Sequence, residues 1–208
     1  MKNICFAVLA MMMFACQPQA QTIQEEKPEG NPVIETIMSR RSIRQYQPQA
    51  ISRDTMNIIL KCGINAPNAM NIQDWEVRVI DNAEKLNAIT ELFKAKNPEM
   101  AERDKDMKNM FRNAPTVVLI ASEKGGMFSQ VDCALLAENV MLAAWSMGIG
   151  SVCMAGPVQF LKSPDAADFM AQVGFSENYE VLLAIGLGYP AEFPAARPRD
   201  ESKVKFVD

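Results

Sequence analysis

The chain has 208 residues and a formal net charge of -4 at pH 7, with 49% hydrophobic and 22% charged residues. These values are ordinary for a single globular domain, and the negative charge argues against a nucleic-acid partner, since such proteins usually carry a basic excess. The sequence contains no histidine, which excludes catalytic triads, general bases and metal sites that depend on imidazole. Chemistry must come from a cofactor, a carboxylate, a lysine or a thiol.

The first fifteen residues have the form of a secretory signal peptide. Lys2 precedes a short apolar run over residues 4–15, too short for a comfortable membrane span. Residues 13–16 end in Cys16 and resemble a bacterial lipobox, which predicts an exported, periplasmic or membrane-anchored lipoprotein whose lipid anchor is at Cys16. Cleavage after Ala20 by the ordinary signal peptidase is the alternative. Residues 16–30 are polar and predict a flexible tether, so the folded domain is expected over residues 31–208.

Two helices and a strand are predicted at the start of this domain. Asn31 and Pro32 form an N-terminal helix signal, and Ser52 is a second N-cap candidate for a helix that ends near Gly63. In residues 75–80, apolar and polar side chains alternate, which predicts a strand with one buried face. Helical spacing then predicts helices over residues 83–94 and 99–112.

The second half of the domain contains the most apolar segments. Residues 116–121 and 181–187 are continuous apolar runs and predict buried strands. Residues 131–147 are apolar nearly all round, which predicts a helix buried by several neighbours. Residues 148–157 predict a turn, a short strand and a second turn, and residues 164–173 a helix. Since helices and strands do not alternate regularly, we predict an α+β sandwich in which helices cover a small sheet.

The cysteines give no sign of a metal site or of a redox motif. The sequence has five cysteines and no C-x-x-C pair. Cys62, Cys133 and Cys153 have apolar neighbours in sequence and are predicted to be small buried hydrophobes. No metal is expected.

A phosphate-binding hypothesis rests on the arginine pentapeptide, which we define as Arg40-Arg41-Ser42-Ile43-Arg44. Guanidinium groups pair two phosphate oxygens at once, and a serine hydroxyl adds a further donor. A solvated basic turn is the alternative for such a segment taken alone. Arg197 and Arg199 form a second cationic segment in the tail. One phosphate monoester bound between the two segments would account for both.

Other nucleotide-binding motifs are absent from the sequence. No G-x-G-x-x-G follows a predicted strand and no P-loop is present, so a nucleotide with one terminal phosphate fits better than one with a phosphate chain. The glycine-rich residues 148–156 would allow backbone N–H groups to approach a planar ligand closely. A plain helix cap followed by a strand is the alternative for this segment.

These segments together resemble the nitroreductase family of FMN-dependent oxidoreductases, over residues 33–208. The arginine pentapeptide matches the family's R-x-S-x-[RK] element for the FMN phosphate and the flavin edge. Residues 66–75 resemble its A-P-S-x-x-N-x-Q-P-W loop, which reaches the flavin bound mainly to the other subunit. Residues 148–156 resemble the segment beside flavin N5, and the tail arginines match its paired basic residues.

The resemblance implies a three-layer α-β-α sandwich with a small mixed or antiparallel sheet, completed as a homodimer with FMN at the interface. It also implies hydride transfer through flavin N5 from NADH or NADPH to a small electrophile such as a nitroaromatic or a quinone, in a ping-pong cycle. No protein side chain is assigned as catalytic, and the backbone of Ala155 and Gly156 is expected near N5. The cofactor-binding residues implied are Arg40, Arg41, Ser42, Arg44, Pro67, Asn68, Ala69, Asn71, Cys153, Met154, Ala155, Gly156, Arg197 and Arg199.

The chain departs from the family pattern at three positions. Asn68 replaces a serine, Asp74 replaces a proline, and Ala155 stands where several bacterial members have glutamate. An exported protein also has little NAD(P)H available, which leaves its physiological donor open. Two alternatives remain: an exported flavin-binding lipoprotein that acts as a carrier or redox partner without turnover, and a degenerate member that binds nothing.

Overall fold

A computed structural model describes residues 30–207. The predicted signal peptide and nearly all of the predicted tether, including Cys16, lie outside the described residues. Within the described range the elements are α1 (Pro32–Ser39), α2 (Arg53–Ile64), β1 (Trp75–Ile80), α3 (Ala83–Lys96), α4 (Pro98–Arg103), β2 (Thr116–Glu123), α5 (Ser129–Ser146), β3 (Gly150–Met154), α6 (Gly156–Leu161), α7 (Ala167–Val173) and β4 (Tyr179–Gly188). Short 3-10 turns occur at Ala69–Asn71, Pro164–Ala166 and Glu201–Lys203.

The four strands form one antiparallel sheet in the order β1-β2-β4-β3. In β2, Val117 and Leu119 face one helical layer, whereas Val118 and Ile120 face the other, as the two-residue period of a strand requires. Helices α3, α6 and α7 cover the first face, and α2 and α5 cover the second. The predicted α+β sandwich is confirmed, with β2 inside the sheet.

Local sequence signals fix the starts of the first two helices. The side-chain oxygen of Asn31 accepts hydrogen bonds from the backbone N–H groups of Val33 and Ile34, at 3.0 and 3.3 Å. The hydroxyl of Ser52 accepts one from Thr55 at 3.1 Å. Each cap satisfies backbone donors that have no partner inside the first helical turn. Both predicted caps are therefore confirmed.

The helix predicted over residues 99–112 is wrong for most of its length. Helix α4 ends at Arg103, and residues 104–115 form an irregular segment that leads into β2. The side-chain oxygen of Asn113 accepts from the backbone N–H groups of Lys108 and Asn109 at 2.8 and 2.9 Å. Asparagine side chains thus take the place of helical hydrogen bonds, a competition that helical spacing alone does not reveal.

Two predictions of burial need correction. Helix α5 does have several neighbours, since it packs on the sheet, α2 and α1, but it is not buried all round: Val131 and Leu135 are 57% and 40% exposed in the single chain. Among the cysteines, Cys133 is fully buried as predicted, whereas Cys62 and Cys153 are exposed. Apolar neighbours in sequence do not determine which side of an element faces the core. None of the helices between residues 30 and 207 combines the length and apolarity needed to cross a bilayer.

Candidate functional site

The arginine pentapeptide lies along the edge of the sheet, beside β3. The backbone N–H of Ile43 donates to the carbonyl of Ser151 at 2.9 Å, and Ser42 pairs with Ser151 as an isolated parallel bridge. Ile43 is fully buried. A Cβ atom on Gly150 would lie only 2.7 Å from Cγ1 of Ile43. The absence of a side chain at Gly150 therefore lets the pentapeptide approach the strand.

Tyr46 and Glu192 hold the pentapeptide in place. The Tyr46 hydroxyl donates to the carbonyl of Ile43 at 2.6 Å and lies 3.3 Å from that of Gly186. Burial, with a smaller contribution from Glu192, raises the pKa of Tyr46 above its ordinary value, so the hydroxyl stays a neutral donor. The backbone N–H of Arg44 donates to the Glu192 carboxylate. The backbone of the pentapeptide is thus fixed at Ile43 by Tyr46 and at Arg44 by Glu192.

The three arginines of the pentapeptide have different environments. Arg41 Nη1 donates to the carbonyls of Met38 and Arg40, at 2.7 Å each, and so closes the end of α1. Arg44 Nη1 donates to the carbonyl of Ser42 at 3.2 Å. Arg40 Nε lies 3.7 Å from Oε1 of Glu138, while its Nη1 is buried without a hydrogen-bond partner among the described residues. Arg40 therefore keeps a free donor inside the protein.

A second buried polar atom next to the pentapeptide has no partner. The Oγ of Ser151 is buried and makes no hydrogen bond within the described part of the chain. Unpaired buried donors cost free energy and usually mark a ligand, a water or a functional group. The two unpaired atoms, Arg40 Nη1 and Ser151 Oγ, therefore indicate a polar binding site.

A cavity of about 1210 Å³ adjoins this edge of the sheet. One wall is residues 152–157, from the end of β3 into α6, together with Arg44 and Glu192. The opposite wall comes from α4 and the irregular residues 104–113. A Cβ atom on Gly156 would meet nothing within 4 Å, so the strand-to-helix turn presents open backbone to the cavity.

Cys153 lies in the same wall, close to the charges of Arg40 and Glu138. Although the residue is exposed in the single chain, neighbouring groups partly shield its sulfur from water, and this desolvation is the largest cause that raises the pKa of the thiol; Glu138 raises it further, while Arg40 lowers it. The thiolate is the nucleophilic form of cysteine. Cys153 is therefore held as a neutral thiol and is a lining group rather than a nucleophile.

The second predicted segment, the 67–73 loop, is fixed near the beginning of α5. The backbone N–H of Ala69 donates to Oδ2 of the buried Asp132 at 3.1 Å, and that of Gln73 donates to the Asn68 side chain at 3.0 Å. Met70, Asn71 and Gln73 have positive φ, and Met70 is 84% exposed. The loop therefore projects outward in a strained conformation.

A single chain does not bring this loop to the arginine pentapeptide. Helix α5 has 18 residues and is about 27 Å long at 1.5 Å per residue. Asp132, which holds the loop, is near its first turn, whereas the indole N–H of Trp145 in its last turn donates to Ser39 beside the pentapeptide at 2.9 Å. The loop is thus held near the beginning of α5, whereas the pentapeptide region contacts the middle of the helix through Arg40 and Glu138 and its end through Ser39 and Trp145.

The C-terminal tail, residues 191–207, begins at the pentapeptide, where Glu192 accepts from the Arg44 backbone, but its two arginines make no hydrogen bond to the pentapeptide within the described residues. Arg197 and Arg199 are exposed, and the guanidinium of Arg199 donates to the carbonyl of Arg197 at 3.1 Å. Of the predicted cofactor residues, the structure places Arg44, Cys153, Met154, Ala155 and Gly156 in the cavity wall. Ser42 pairs with Ser151 of β3, and Arg40 and Arg41 do not line the cavity. Pro67, Asn68, Ala69, Asn71, Arg197 and Arg199 lie elsewhere.

Comparison with known proteins gives a consistent family. Residues 37–189 match the model described as "Nitroreductase family". The chain belongs to the nitroreductase family. It is 30% identical to a putative NADH dehydrogenase/NAD(P)H nitroreductase of Methanothermobacter thermautotrophicus, over 79% of this chain and 81% of the relative. It is 28% identical to an NADPH-flavin oxidoreductase of Vibrio harveyi, over 81% and 70% of the two chains.

Solved structures of nitroreductases have the same fold. A Bacteroides fragilis nitroreductase with bound FMN superposes with a TM-score of 0.75 and 27% identity, covering 86% of this chain and all of that one. An FMN-dependent nitroreductase of Clostridium difficile gives a TM-score of 0.70 and 26% identity, over 85% and 99% of the two chains. The three-layer sandwich predicted from the family resemblance is confirmed.

Sequence reasoning missed several residues that shape this nitroreductase site. Ser151, Tyr46, Glu192 and Asp132 hold or extend the predicted segments, and none belongs to the motifs used for recognition. Two of these four residues could have been found from the sequence. Ser151 and Asp132 are polar residues inside otherwise apolar segments, where a buried polar group needs a partner. The sequence pattern does not distinguish Tyr46 or Glu192 from other polar residues.

Replacing Asp132 by alanine is expected to lower the free energy of unfolding by about 1 to 2 kcal/mol, because the Ala69 N–H loses its acceptor in a partly buried site. Proteolysis within the 67–73 loop should become faster. Chemical denaturation and limited proteolysis measure the two effects. Asp132→Asn keeps an acceptor oxygen and should recover most of the stability. An alanine variant as stable and as resistant as the wild type would contradict this role.

Proposed function

We propose that the protein is an FMN-dependent oxidoreductase that transfers electrons from NADH or NADPH to a small electrophile, such as a nitroaromatic or a quinone, in a ping-pong cycle. In balance, NAD(P)H and one proton reduce the acceptor by two electrons and two protons, and NAD(P)⁺ leaves. The observation that carries this proposal is a large cavity whose lining combines Arg44 of the pentapeptide with the open backbone at Gly156, while Arg40 of the same pentapeptide keeps a buried donor unpaired among the described residues. Membership of the family and its FMN-bound relatives support it.

The residues present fit FMN. A single terminal phosphate needs donors at one end of the ligand, and the pentapeptide supplies Arg40 Nη1 with the hydroxyl of Ser42 and the charge of Arg44 nearby. The planar ring needs a surface free of side chains, which the turn at Gly156 supplies. Ligand pockets are commonly about 300 to 1000 Å³, so the cavity of about 1210 Å³ has room for the cofactor and an acceptor.

The protein's own part in the reaction is to bind and orient the cofactor and to keep competing reactive groups away from it. When bound, FMN supplies the hydride chemistry at N5. Arg40, Ser42 and Arg44 would hold its anionic end, and the backbone of Ala155 and Gly156 would border its ring. Cys153, kept neutral by desolvation of its thiol, does not compete as a nucleophile. No histidine acid or base is needed, in keeping with a sequence that has none.

The arrangement of the predicted segments favours a homodimer. Within residues 30–207, no hydrogen bond joins the 67–73 loop, Arg197 or Arg199 to the pentapeptide, which favours a second copy as the source of these groups at each FMN site. The exposed apolar side chains on α1 and α5 are a suitable interface: Val33, Ile37, Met38, Val131 and Leu135. Sedimentation of the purified protein tests this, and a monomer that retains FMN would contradict it.

The absorbance spectrum of the purified protein is the first test of the proposed function. A flavin spectrum should be present, or should appear after FMN is added. Under anaerobic conditions, NADH or NADPH should bleach it, and a nitroaromatic or quinone should restore it. A protein that stays colourless with added FMN would contradict the proposal, as would a flavin that no acceptor reoxidises. Bleaching by neither nucleotide would point to the carrier role or to a different donor.

Replacing Arg199 by alanine is expected to weaken FMN binding by about 1 to 3 kcal/mol, the contribution of a hydrogen bond to a charged group. Equilibrium titration of the apoprotein with FMN, followed by flavin fluorescence, measures this. Lys203→Ala is the matched control, because Lys203 is a cation of the same tail that lies 3.9 Å from the Asp200 carboxylate. Equal FMN affinities of wild type and Arg199→Ala would count against a phosphate contact by the tail.

We also propose that the protein is exported and anchored by a lipid at Cys16. The support is in the sequence: Lys2, the apolar residues 4–15 and the cysteine that follows them. Metabolic labelling with a lipid analogue should mark the wild type and not Cys16→Ser. Equal labelling of the two proteins would overturn the anchor.

A further inference from the structure

The cavity beside the β3–α6 turn has an apolar, polarisable lining. It contains Met100, Met107 and Met110, together with Phe93 and Phe160, whose rings meet edge to face at 5.2 Å. Methionine sulfur and aromatic edges both make favourable contacts with aromatic rings. This lining therefore suits a planar aromatic ligand that lies against the turn.

Two arginines line the same cavity in addition to Arg44 of the pentapeptide. Arg103 is the last residue of α4, and Arg112 belongs to the irregular residues 104–113. Neither guanidinium forms an ion pair with a carboxylate in residues 30–207. The acidic groups lining the cavity are Asp104 and Glu192, and Glu192 already accepts from the Arg44 backbone. Arg103 and Arg112 are thus available to a ligand.

The position of Arg112 is set by a tightly bonded loop. Arg112 and Asn113 have φ values of 57° and 59°, which residues other than glycine rarely adopt. The Asn113 side chain accepts from Lys108 and Asn109, and the buried Asn109 amide donates to the Ala114 carbonyl at 3.0 Å. The backbone that carries Arg112 is therefore held beside the cavity and does not have to be ordered by the ligand.

We propose that Arg103 and Arg112 bind an anionic substituent of the electron acceptor, so that the acceptor is a carboxylate-bearing aromatic electrophile rather than a neutral quinone. This inference rests on the proposed function for the site and specifies its acceptor class. The methionine and phenylalanine surface contacts the ring, and the two arginines select the charge. Arg44 of the pentapeptide lines the same cavity and is assigned, with Arg40, to the cofactor phosphate.

The test compares 4-nitrobenzoate with the neutral 4-nitrobenzamide as acceptors for the FMN-loaded protein. The flavin is first reduced anaerobically with stoichiometric dithionite, so that no nicotinamide donor is needed, and its reoxidation is followed by absorbance. The wild type should favour the carboxylate. Arg103→Gln and Arg112→Gln should each lower the carboxylate-to-amide rate ratio by about three- to fivefold, as expected for an exposed charge pair.

A binding measurement gives a readout independent of turnover. Calorimetric titration of the oxidised FMN-loaded protein with benzoate should show affinity losses of about three- to fivefold for the same variants. Lys108→Gln is the matched control: it removes one positive charge from the same loop, at a residue outside the cavity wall. It should keep both the rate ratio and the benzoate affinity of the wild type.

Three outcomes would overturn the inference. The first is equal rates with the two acceptors in the wild type. The second is an equal response of Arg112→Gln and Lys108→Gln. The third is an effect of the arginine variants confined to reduction by NADH or NADPH, which would assign the pair to a phosphate of the donor. If no acceptor reoxidises the protein, the proposed function fails, whereas the benzoate titration still decides whether the arginines bind a carboxylate.

Discussion

Replacing Arg40 by methionine is expected to weaken FMN binding by about ten- to hundredfold while leaving the apoprotein at least as stable as the wild type. The affinity falls because a charged hydrogen bond to the phosphate, about 1.5 to 3 kcal/mol, is lost. The apoprotein is not destabilised because Arg40 Nη1 is buried without a partner in the described chain, and methionine removes that unsatisfied donor. FMN titration and denaturation of the apoprotein measure the two quantities.

The opposite directions of these two effects separate a ligand-binding role from a structural one. Arg53→Met is the control, because Arg53 is exposed and its Nε pairs with Asp81 at 2.8 Å, outside the cavity wall. It should leave FMN affinity unchanged. An Arg40→Met apoprotein that is less stable by several kcal/mol would assign Arg40 to the ion pair with Glu138 instead of the cofactor.

The second large effect is expected at Gly150. Replacing Gly150 by alanine places a Cβ atom 2.7 to 3.0 Å from the side chain of Ile43, which forces the pentapeptide away from β3. Overpacking of this kind costs about 1 to 3 kcal/mol. The variant should unfold at lower denaturant concentration and should also lose FMN affinity, since the bridge from Ser42 to Ser151 cannot form as it does now.

Gly156→Ala is the matched comparison for Gly150→Ala. Its added Cβ atom meets no atom of the chain within 4 Å and extends from a wall of the cavity. We expect the apoprotein to keep its stability, while FMN binds more weakly because the methyl group occupies space beside the ring. Equal losses of stability in both glycine variants would show that the clash with Ile43 is not what Gly150 avoids.

Much of the fold can be predicted from the sequence because its signals are local. The caps at Asn31 and Ser52 depend on residues within one helical turn. The alternation in β1 and the continuous apolar run in β2 depend only on which sheet faces are covered. Helical spacing fails over residues 104–113 because Asn109 and Asn113 form side-chain bonds with backbone groups that a helix would otherwise pair.

The candidate site likewise has features that follow from local sequence and features that depend on tertiary packing. The sequence by itself determined the residue types for a phosphate, in the arginine pentapeptide and the tail, and an open backbone at Gly156. Only the tertiary structure decided that Ser42 lies beside Ser151, that Arg40 keeps a free buried donor, and that a Met-lined cavity with two further arginines adjoins them. It also placed the 67–73 loop at the beginning of α5, held by Asp132. The physical reason is that side-chain chemistry is local, whereas neighbours across a sheet edge depend on how distant segments pack.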